Sequence, residues 1–587
     1  MKVLGIHDGH NATACLLEDG KVVFCLQEER LTNKKNFAGP PLLAIEQALQ
    51  YGGISIDELD GIGVSSLMRY LGAKEYKDIV EELRHYSPVK ELDPRLAWQR
   101  VRNLLGDNLR HTAPYQKLQH KKNIKQLSYL QQFGSVDWNK IRFYDHHYMH
   151  AVSTYYASGW ANDSREVLVL TLDGEGDTLC STVWTGVSGK LQQVARTPAG
   201  NSLGLIYGAV TAFMGFVPLE HEYKLMGMAP HASPTRSQRC YEVFKSYLTL
   251  APEGLVFKRL IPESIGDLKF IPRLQSDLAF ERFDNICSGL QRFTEELVTQ
   301  WVKNAIQHTG VHRVALSGGV FMNVKGNKCI AELPEVEQLY ILPSCGDESN
   351  AIGAAYQMYV ELCNKRNLSL RPQPLDNIYL GPDLSESEVE SALAETGDRY
   401  IVSEPDDLEA EVARLLAEGQ IVARVNGRLE FGARALGNRS ILGDPTRLEC
   451  LSTINQQIKK RDFWMPFAPV VSIERANEYM VIPKYIYSPF MMMSYDTVPE
   501  RRSEFKAAMH QADYTARPQI LSQDENPSYY KILKKFEELT GRGILLNTSY
   551  NLHGYPIACG AKEAIWVMDN SGLKYLALGR KLIRRRE

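Results

Sequence analysis

Three apolar segments, each running into a glycine-rich or acidic turn, constrain the fold most strongly. They are "MKVLGIHDG" from residue 1, "EVLVLTLDGEGDT" from residue 166 and "VHRVALSGGVFMN" from residue 311. A buried strand that ends in such a turn leaves backbone N–H groups free to hold phosphate oxygens. Together these turns predict an α/β fold that handles a phosphate or a nucleotide.

Local patterns around these segments predict the neighbouring elements. The first strand is followed by two strands that form a hairpin, with the turn at Asp19-Gly20. An amphipathic helix spans roughly 288–308 and ends at Gly310, because glycine is common just past a helix end. "GQIVARVNG" and "GRGILLNTSYN" predict further strands in the C-terminal part of the chain.

At 587 residues the chain is long enough for two domains. Residues 69–135 carry many charged, helix-favouring residues and predict a helical insertion in the first domain. The stretch "NLSLRPQPLDN" contains two prolines and little periodicity, which predicts a linker. We therefore divide the chain into a first domain, 1–370, and a second domain, 371–587.

Charge and cysteine content argue against several classes of protein. The formal net charge is −3, without the positive excess typical of nucleic-acid-binding proteins. The 10 cysteines never form C-x-x-C, which argues against a zinc ribbon or a disulfide framework. No run approaches the ~18 apolar residues needed to span a bilayer. These features predict a cytoplasmic protein with neither a nucleic-acid nor a membrane partner.

The stretch "YDHHYMHA" predicts a metal site. His146 and His150 are four residues apart, so on a helix both imidazoles lie on one face and can reach one ion. Asp173 in "LDGEGD" and Asp347 in "SCGDESN" lie at predicted loop tips and are natural completing ligands. Two histidines with carboxylates suit Fe(II), Mn(II) or Zn(II), and ligand chemistry alone does not choose among them.

A series of motifs resembles the antibiotic and nodulation-factor O-carbamoyltransferases over nearly the whole chain. The first half contains "HHYMHA", "LDGEGD", "EYKLMGMAP", "LSGGVFMNVKGN" and "GDESNAIGAA" in that order. The second half continues with "EFGARALGNRSIL", "INQQIKKRDFWMPFAP", "TARPQ" and "ILLNTSYNLHGYPI". The resemblance implies an α/β, actin/Hsp70-like ATPase domain followed by a YrdC-like domain of α+β type.

The resemblance also implies a reaction and its participants. Carbamoyl phosphate and ATP would form carbamoyl-adenylate, whose carbamoyl group passes to a hydroxyl of a small metabolite. The metal is most often iron in relatives, and Mg(II) would accompany ATP. The implied site residues are the metal ligands His146, His150, Asp173 and Asp347, the catalytic residues His10 and Lys35, the nucleotide contacts Gly318, Gly319, Asn323 and Lys224, and the carbamoyl phosphate contacts Arg434, Lys459 and Arg517.

Some assignments have neighbouring competitors. His7 competes with His10 as the catalytic base, and Arg439 and Arg461 are placed to support the carbamoyl phosphate contacts. The chain also departs from the family pattern at three positions. Met465 stands where relatives usually have arginine, Ala433 where they have proline, and Tyr555 where they commonly have glutamate. Losing one arginine from a phosphate site removes a contact worth roughly 1.5–3 kcal/mol.

Three other functions use related folds. Synthesis of threonylcarbamoyl-adenosine on tRNA would require a basic face, and the slightly acidic chain offers none that is obvious. Hydrogenase maturation would bring an acylphosphatase module and C-x-x-C zinc motifs, which the sequence lacks. A non-catalytic regulator of the Hsp70/actin type would not need the cationic residues of the second half. Carbamoyl transfer to a small hydroxyl compound is the hypothesis that accounts for both halves.

Overall fold

The computed structural model of the chain describes residues 1–68, 113–265 and 270–586, with the backbone alone for 113–118. Most of the predicted insertion, 69–112, lies outside the described residues, and its last part is helical. The strands of the first half are β1 Lys2–His7, β2 Thr13–Glu18, β3 Lys21–Gln27, β4 Gly61–Ser65, β5 Ile141–Tyr144, β6 Val167–Gly176, β7 Leu179–Val187, β8 Lys190–Pro198, β9 Leu248–Leu250, β10 Phe257–Arg259, β11 Arg313–Ser317 and β12 Gln338–Ile341.

Two five-stranded sheets in the first half share one topology. Their orders are β3-β2-β1-β4-β5 and β8-β7-β6-β11-β12. In each sheet three antiparallel strands come first along the chain, and two parallel strands are added beyond the first of them. This duplicated arrangement confirms the α/β prediction, and it is the one expected of an actin/Hsp70-like ATPase domain.

Helices pack on these two sheets. They are α1 Glu29–Thr32, α2 Leu42–Gly52, α3 Ala113–Gln126, α4 His146–Ala157, α5 Leu203–Phe213, α6 Glu222–Met228, α7 Gln238–Lys245, α8 Phe270–Asp277, α9 Phe283–Thr309, α10 Val324–Glu332 and α11 Asn350–Lys365. The predicted amphipathic helix is α9, which ends at Gly310 with a left-handed backbone as expected.

Glycines let α11 lie directly on the first sheet. A Cβ on Gly5 or Gly63 would lie 2.0 or 2.3 Å from a backbone oxygen of α11. A Cβ on Gly353 would lie 2.2 Å from a backbone oxygen of α4. Because these approaches exclude any side chain, they fix the start of α11 relative to α4 and β1.

The second half is built on one mixed eight-stranded sheet of order β13-β23-β22-β14-β15-β21-β16-β20, with a smaller sheet of order β17-β18-β19. Its strands are β13 Tyr400–Ser403, β14 Val422–Val425, β15 Arg439–Gly443, β16 Ala468–Ser472, β17 Met480–Val481, β18 Tyr495–Thr497, β19 Thr515–Ala516, β20 Gln519–Leu521, β21 Ile544–Ser549, β22 Tyr575–Leu578 and β23 Lys581–Arg585. Its helices are α12 Glu386–Ala394, α13 Leu408–Ala417, α14 Leu448–Ile454, α15 Ala476–Tyr479, α16 Pro527–Thr540 and α17 Ala561–Asp569.

The predicted linker has no regular secondary structure between α11 and α12. It is nevertheless packed, because Gln373 and Leu375 donate backbone hydrogen bonds to the first half, and just beyond the linker Tyr379 and Leu380 belong to the first-half core. The two halves therefore meet along this segment. The domain boundary near residue 370 and the YrdC likeness of the second half remain predictions.

One local expectation was wrong. The sequence predicted a loop beginning at Asp173, but β6 continues to Gly176. Its pairing with β7 shifts register between Leu172 and Gly176, so the acidic and glycine residues occupy an irregular strand end.

Candidate active site

Four potential metal ligands meet in the first half. His146 and His150 lie on α4, Asp173 lies in β6, and Asp347 lies in the turn before α11. Their ligand atoms all lie within 4.8 Å of one another. Each imidazole Nε2 lies 3.3 to 3.5 Å from one oxygen of each carboxylate. The structure therefore brings together the four residues proposed from the sequence as metal ligands, which we call the His–Asp quartet.

Local contacts fix the start of α4 and the ring of its first residue. The Asp145 carboxylate caps the helix by accepting the Tyr148 N–H at 2.8 Å. The Asp177 carboxylate accepts the His146 N–H at 2.8 Å. A Cβ on Gly176 would lie 2.0 Å from the His146 ring, so only glycine leaves space for that imidazole.

The glycine turn after β11 holds the third ligand. The Gly319 N–H donates to Asp173 Oδ1 at 3.1 Å. Gly318 has φ of 109°, and a Cβ there would lie 2.3 Å from the Leu172 carbonyl oxygen. The predicted nucleotide turn and the His–Asp quartet are thus adjacent.

The side chain of Asn323 is already occupied. Its Oδ1 accepts the Gly326 N–H at 3.0 Å and so caps α10. Its amide also pairs with the Gln291 amide through bonds of 2.9 and 3.0 Å. Gly318, Gly319 and Asn323 form one turn as predicted, and the contact of this turn with nucleotide stays a prediction.

The His–Asp quartet is buried and electrostatically coupled. His146 and His150 are 3% and 0% exposed. Burial disfavours their charged forms, but the two carboxylates outweigh it and raise the pKa of both histidines. Burial likewise opposes ionised Asp173 and Asp347, yet the imidazoles lower the pKa of Asp347 well below its usual range and that of Asp173 to about 2. The arrangement therefore favours ionised Asp173 and Asp347 beside positively charged groups.

The two candidate catalytic histidines have different surroundings. His7 is buried, its Nδ1 lies 2.6 Å from Ser65 Oγ and its Nε2 lies 2.9 Å from the His10 carbonyl oxygen. Burial lowers the pKa of His7 to about 4. The half-buried His10 ring has no hydrogen-bond partner within the described part of the chain. His10 is therefore the freer of the two to accept a proton from a substrate.

One of the predicted cations, Lys224, lies at a contact between the two halves. We call this contact the seam, and define it by α6 and residues 460–466. Lys35 Nζ lies 2.7 Å from Glu220 Oε1, and Lys224 Nζ lies 3.0 Å from Asp462 Oδ2. Among the described residues, the Lys224 ammonium therefore pairs with the second half at the seam and contacts no residue of the glycine turn. Its proposed contact with nucleotide stays a prediction.

Three partly buried arginines of the second half form a cluster: Arg434, Arg461 and Arg517. Burial and then the other two guanidinium groups lower the pKa of Arg517 well below its usual range. Burial and Arg461 lower the pKa of Arg434 to about 10. Among the described residues no carboxylate forms an ion pair with any of the three. This arginine cluster is a concentration of positive charge without an ion-paired carboxylate, which favours binding of an anion.

Two other predicted or supporting cations are held by oxygen atoms of the protein. Lys459 Nζ donates to oxygens of Ser549 and Asn551, and burial, Arg461 and Lys35 lower its pKa well below the usual range. Arg439 is buried and donates to four backbone carbonyl groups. Arg439 therefore anchors backbone, whereas Arg461 is the supporting residue that joins the arginine cluster.

The three departures from the family pattern have different surroundings. Met465 Sδ packs against α6, where a Cβ on Gly227 would lie 2.9 Å from the sulfur atom. Ala433 is exposed, and Tyr555 is 40% exposed and packs against Trp566 with ring centroids 5.0 Å apart.

Two polar residues near the quartet, Glu348 and Asn350, were not predicted from the sequence. Glu348 is buried, contacts Ser344 and Asn11, and has its pKa raised to about 7 by burial. Asn350 lies between the two histidine ligands. The polar run "GDESN" after β12 was the available signal, because a polar run that leads directly into a buried helix must face other polar groups.

Comparison with known families identifies the class of protein. A model described as "Carbamoyltransferase N-terminus" matches residues 2–356, and one described as "Carbamoyltransferase C-terminus" matches residues 413–585. The chain belongs to the carbamoyltransferase family. It is therefore a transferase enzyme, with a carbamoyl donor and a small-molecule acceptor implied by the family.

Individual relatives match over nearly the full length. The chain is 30% identical to the uncharacterized protein sll1178 of Synechocystis sp., over 97% of this chain and 94% of that protein. It is 30% identical to nodulation protein NolNO of Sinorhizobium fredii, over 98% of this chain and 79% of that protein. It is 26% identical to nodulation protein U of the same species, over 96% of each chain.

Solved structures that resemble the chain do so only distantly. The component A of (R)-2-hydroxyglutaryl-CoA dehydratase from Acidaminococcus fermentans covers 62% of this chain and 98% of its own, with 14% identity and a TM-score of 0.33. A phosphate- and nucleotide-bound HypF covers 63% of this chain and 56% of its own, with 12% identity and a TM-score of 0.32. These TM-scores are too low to bear on function.

The donor set of the His–Asp quartet fits a divalent metal. It offers two imidazole nitrogens and two carboxylate oxygens in one buried cluster. Two carboxylates balance a dication when both imidazoles are neutral, and Fe(II), Mn(II) and Zn(II) accept this set.

Among the described residues, no helix combines the length and the apolar character needed to cross a membrane.

Proposed function

We propose that the protein is an ATP-dependent O-carbamoyltransferase. It transfers the carbamoyl group of carbamoyl phosphate, through carbamoyl-adenylate, to a hydroxyl group of a small secondary metabolite. The observation that carries the proposal is the presence, in one carbamoyltransferase-family chain, of an arginine cluster without an ion-paired carboxylate and of the His–Asp quartet. The first suits an anionic donor, and the second suits a metal at the site of transfer.

In the donor step, water first opens carbamoyl phosphate to carbamate and phosphate. Carbamate is a resonance-stabilised anion and a poor electrophile, so it needs a better leaving group. A carbamate oxygen attacks the α-phosphorus of ATP, an O–P bond forms, and pyrophosphate leaves. Arg434, Lys459 and Arg517 hold the phosphoryl oxygens, and Arg461 supports them. Guanidinium groups match the geometry of phosphoryl oxygens and bond to two of them at once.

In the transfer step, the acceptor hydroxyl oxygen attacks the carbamoyl carbon. The bond from that carbon to the adenylate oxygen breaks, and AMP leaves with the electron pair. The neutral His10 imidazole takes the hydroxyl proton, and the Lys35 ammonium offsets negative charge that develops on the carbonyl or phosphoryl oxygens. The glycine turn at Gly318 and Gly319 contacts the nucleotide in this proposal.

The His–Asp quartet holds the metal, which we propose to be Fe(II), and Mg(II) accompanies ATP. A bound divalent ion supplies a positive charge that polarises an oxygen of the reacting groups. The partners are carbamoyl phosphate and the hydroxyl acceptor, with no nucleic acid or membrane involved.

The donor step can be tested without knowing the acceptor. Purified protein is incubated with ATP, Mg(II), Fe(II) and carbamoyl phosphate, and pyrophosphate and carbamoyl-adenylate are measured by mass spectrometry. We expect both products from the wild type, and about 10- to 100-fold less from Arg517→Ala, because one charge-assisted contact contributes roughly 1.5–3 kcal/mol.

Arg447→Ala is the matched control, since this arginine of the second half is half exposed and lies outside the cluster. The proposal is wrong if the wild type makes no carbamoyl-adenylate with or without a panel of hydroxyl compounds. It is also wrong if Arg517→Ala and Arg447→Ala make equal amounts.

A further inference from the structure

The imidazole Nε2 atoms of the His–Asp quartet are the metal-facing atoms, because both lie against the two carboxylates. When a neutral imidazole binds a metal through Nε2, its proton must sit on Nδ1. Both rings are buried, so each Nδ1–H needs an acceptor within the protein. His150 has one in Ser317, whose Oγ lies 3.2 Å from its Nδ1.

The acceptor for the second ring is less obvious. His146 Nδ1 lies 3.3 Å from Ser66 Oγ and 3.4 Å from Asn350 Nδ2. Asn350 is 0% exposed, and its Nδ2 also lies 3.4 Å from His150 Nε2. Its Oδ1 is buried without a hydrogen-bond partner in the described part of the chain.

This orientation of the amide does not suit a ligated quartet. With both Nε2 lone pairs directed at a metal and both protons on Nδ1, the Asn350 NH₂ group faces two nitrogens that cannot accept a hydrogen bond. Exchanging the amide O and N leaves every heavy-atom position unchanged, since the two atoms are almost the same size. The exchange directs the amide oxygen at the His146 Nδ1–H and places the NH₂ group at the position where Oδ1 had no partner.

We propose that Asn350 is a positioning residue for the metal centre, whose carboxamide oxygen accepts the His146 Nδ1–H and so holds Nε2 toward the metal. This inference rests on the proposed function, because it assumes that the quartet binds a metal. A neutral amide suits this place, since the two carboxylates of the quartet already balance a dication. The Ser66 hydroxyl is half-buried and can turn toward other partners, whereas the enclosed amide cannot.

The test is metal affinity, measured on the full-length protein with Co(II) alone in competition with a chelator. Removing an outer hydrogen-bond partner of a ligating histidine typically weakens metal binding about 10- to 100-fold, so we expect a loss of this size in Asn350→Leu. Asn350→Asp retains an acceptor oxygen and is expected to bind Co(II) at least as tightly as the wild type. The Co(II)-induced rise in Tm should follow the same order.

Asn327→Leu is the matched control for burying a leucine in place of an asparagine. Asn327 is 1% exposed, donates only to backbone carbonyls and also has an orphaned Oδ1 in the described chain. It should lower the Tm without changing Co(II) affinity. Ser66→Ala should change that affinity by much less than Asn350→Leu.

Three results would overturn the inference. Wild-type affinity in Asn350→Leu would leave Asn350 without a role at the metal. Weaker binding in Asn350→Asp would show that an acceptor oxygen is not what the site needs, and this variant remains informative if the leucine variant does not fold. A wild-type protein that takes up no Co(II) would remove the metal centre of the proposed function together with this inference.

Discussion

The His–Asp quartet and the arginine cluster are both small groups of partly buried ionisable side chains, but their charges are balanced differently. In the quartet each carboxylate faces both imidazoles, so the pKa of the carboxylates falls and that of the histidines rises. In the cluster burial and then the neighbouring guanidinium groups lower the pKa of Arg434 and of Arg517. A metal cation can replace the protons that balance the two carboxylates of the quartet. The arginines of the cluster repel one another and are stabilised by a bound anion.

The two regions also differ in how they are built. The quartet takes its ligands from β6, α4 and the turn before α11. Glycines allow these segments to approach one another closely. The arginine cluster takes its members from three separate segments of the second half, and first-half groups such as Tyr223 and Glu348 face Arg434. The quartet is therefore complete within one half, whereas the surroundings of the cluster depend on how the halves meet.

Single substitutions should separate the two regions, with the largest effect at the quartet. Asp347→Asn removes one of two carboxylates that balance the metal, and we expect metal affinity to fall more than ~100-fold, beyond the effect of an outer hydrogen-bond partner. Carbamoyl-phosphate-dependent pyrophosphate release should persist, because the arginine cluster is intact. Arg517→Ala should lower pyrophosphate release and leave metal affinity unchanged. Chelator competition and pyrophosphate assays on both variants measure the two effects.

The neighbouring carboxyl group supplies a control for this comparison. Glu348→Gln is nearly isosteric, and Glu348 contacts Ser344 and Asn11 rather than the quartet. It should alter metal affinity only a few-fold. If Asp347→Asn abolished pyrophosphate release as well as metal binding, the two regions would be one functional unit and the contrast drawn above would be wrong.

Binding of metal at the quartet and binding of carbamoyl phosphate at Lys459 and the arginine cluster should also respond to pH in opposite directions. A metal must displace protons from His146 and His150, whose pKa is raised, so metal affinity should rise with pH by up to about tenfold per unit for each proton released. A bound anion favours protonated Lys459, whose pKa is lowered. Affinity for carbamoyl phosphate should therefore fall as pH rises through that lowered pKa.

Calorimetric titrations with Co(II) and with carbamoyl phosphate, in buffers of different ionisation enthalpy, would count these protons. We expect proton release on metal binding and proton uptake on anion binding at alkaline pH. The same sign for both ligands would contradict the contrast between balanced and unbalanced charge.

Much of the quartet could be predicted from the sequence, because local patterns carry it. The spacing of His146 and His150 requires only that α4 is a helix, and the polar segment around Asp347 indicates a loop tip. The family resemblance supplied the grouping of all four ligands. The irregular end of β6 could not be predicted, since a bulge depends on its partner strand.

Contacts at the seam were beyond sequence reasoning. Lys224 was placed with the nucleotide turn by its motif, yet its ammonium pairs with Asp462 of the second half. Arg439 lies within a long matching motif, but its guanidinium donates its hydrogen bonds to backbone carbonyls. Whether a charged side chain faces a substrate or the protein itself depends on how distant segments dock, which no local pattern encodes.

The smallest effect is expected where the chain departs most clearly from its family. Met465 replaces a usual arginine, and its sulfur atom packs against Gly227 of α6, where a Cβ would lie 2.9 Å away. Arg461 already joins Arg434 and Arg517, so a further cation at 465 is not needed for the cluster. We expect Met465→Arg to leave the affinity for carbamoyl phosphate nearly unchanged and to lower stability by about 1–3 kcal/mol through overpacking.

Met465→Leu, which conserves volume, is the control and should cost less than ~1.5 kcal/mol. Denaturant unfolding measures the stability of both variants, and calorimetry measures donor affinity. Tighter donor binding in Met465→Arg would show that a side chain at 465 does reach the arginine cluster. The seam would then be an extension of the anion site, and the docking of the two halves, rather than the cluster alone, would set donor affinity.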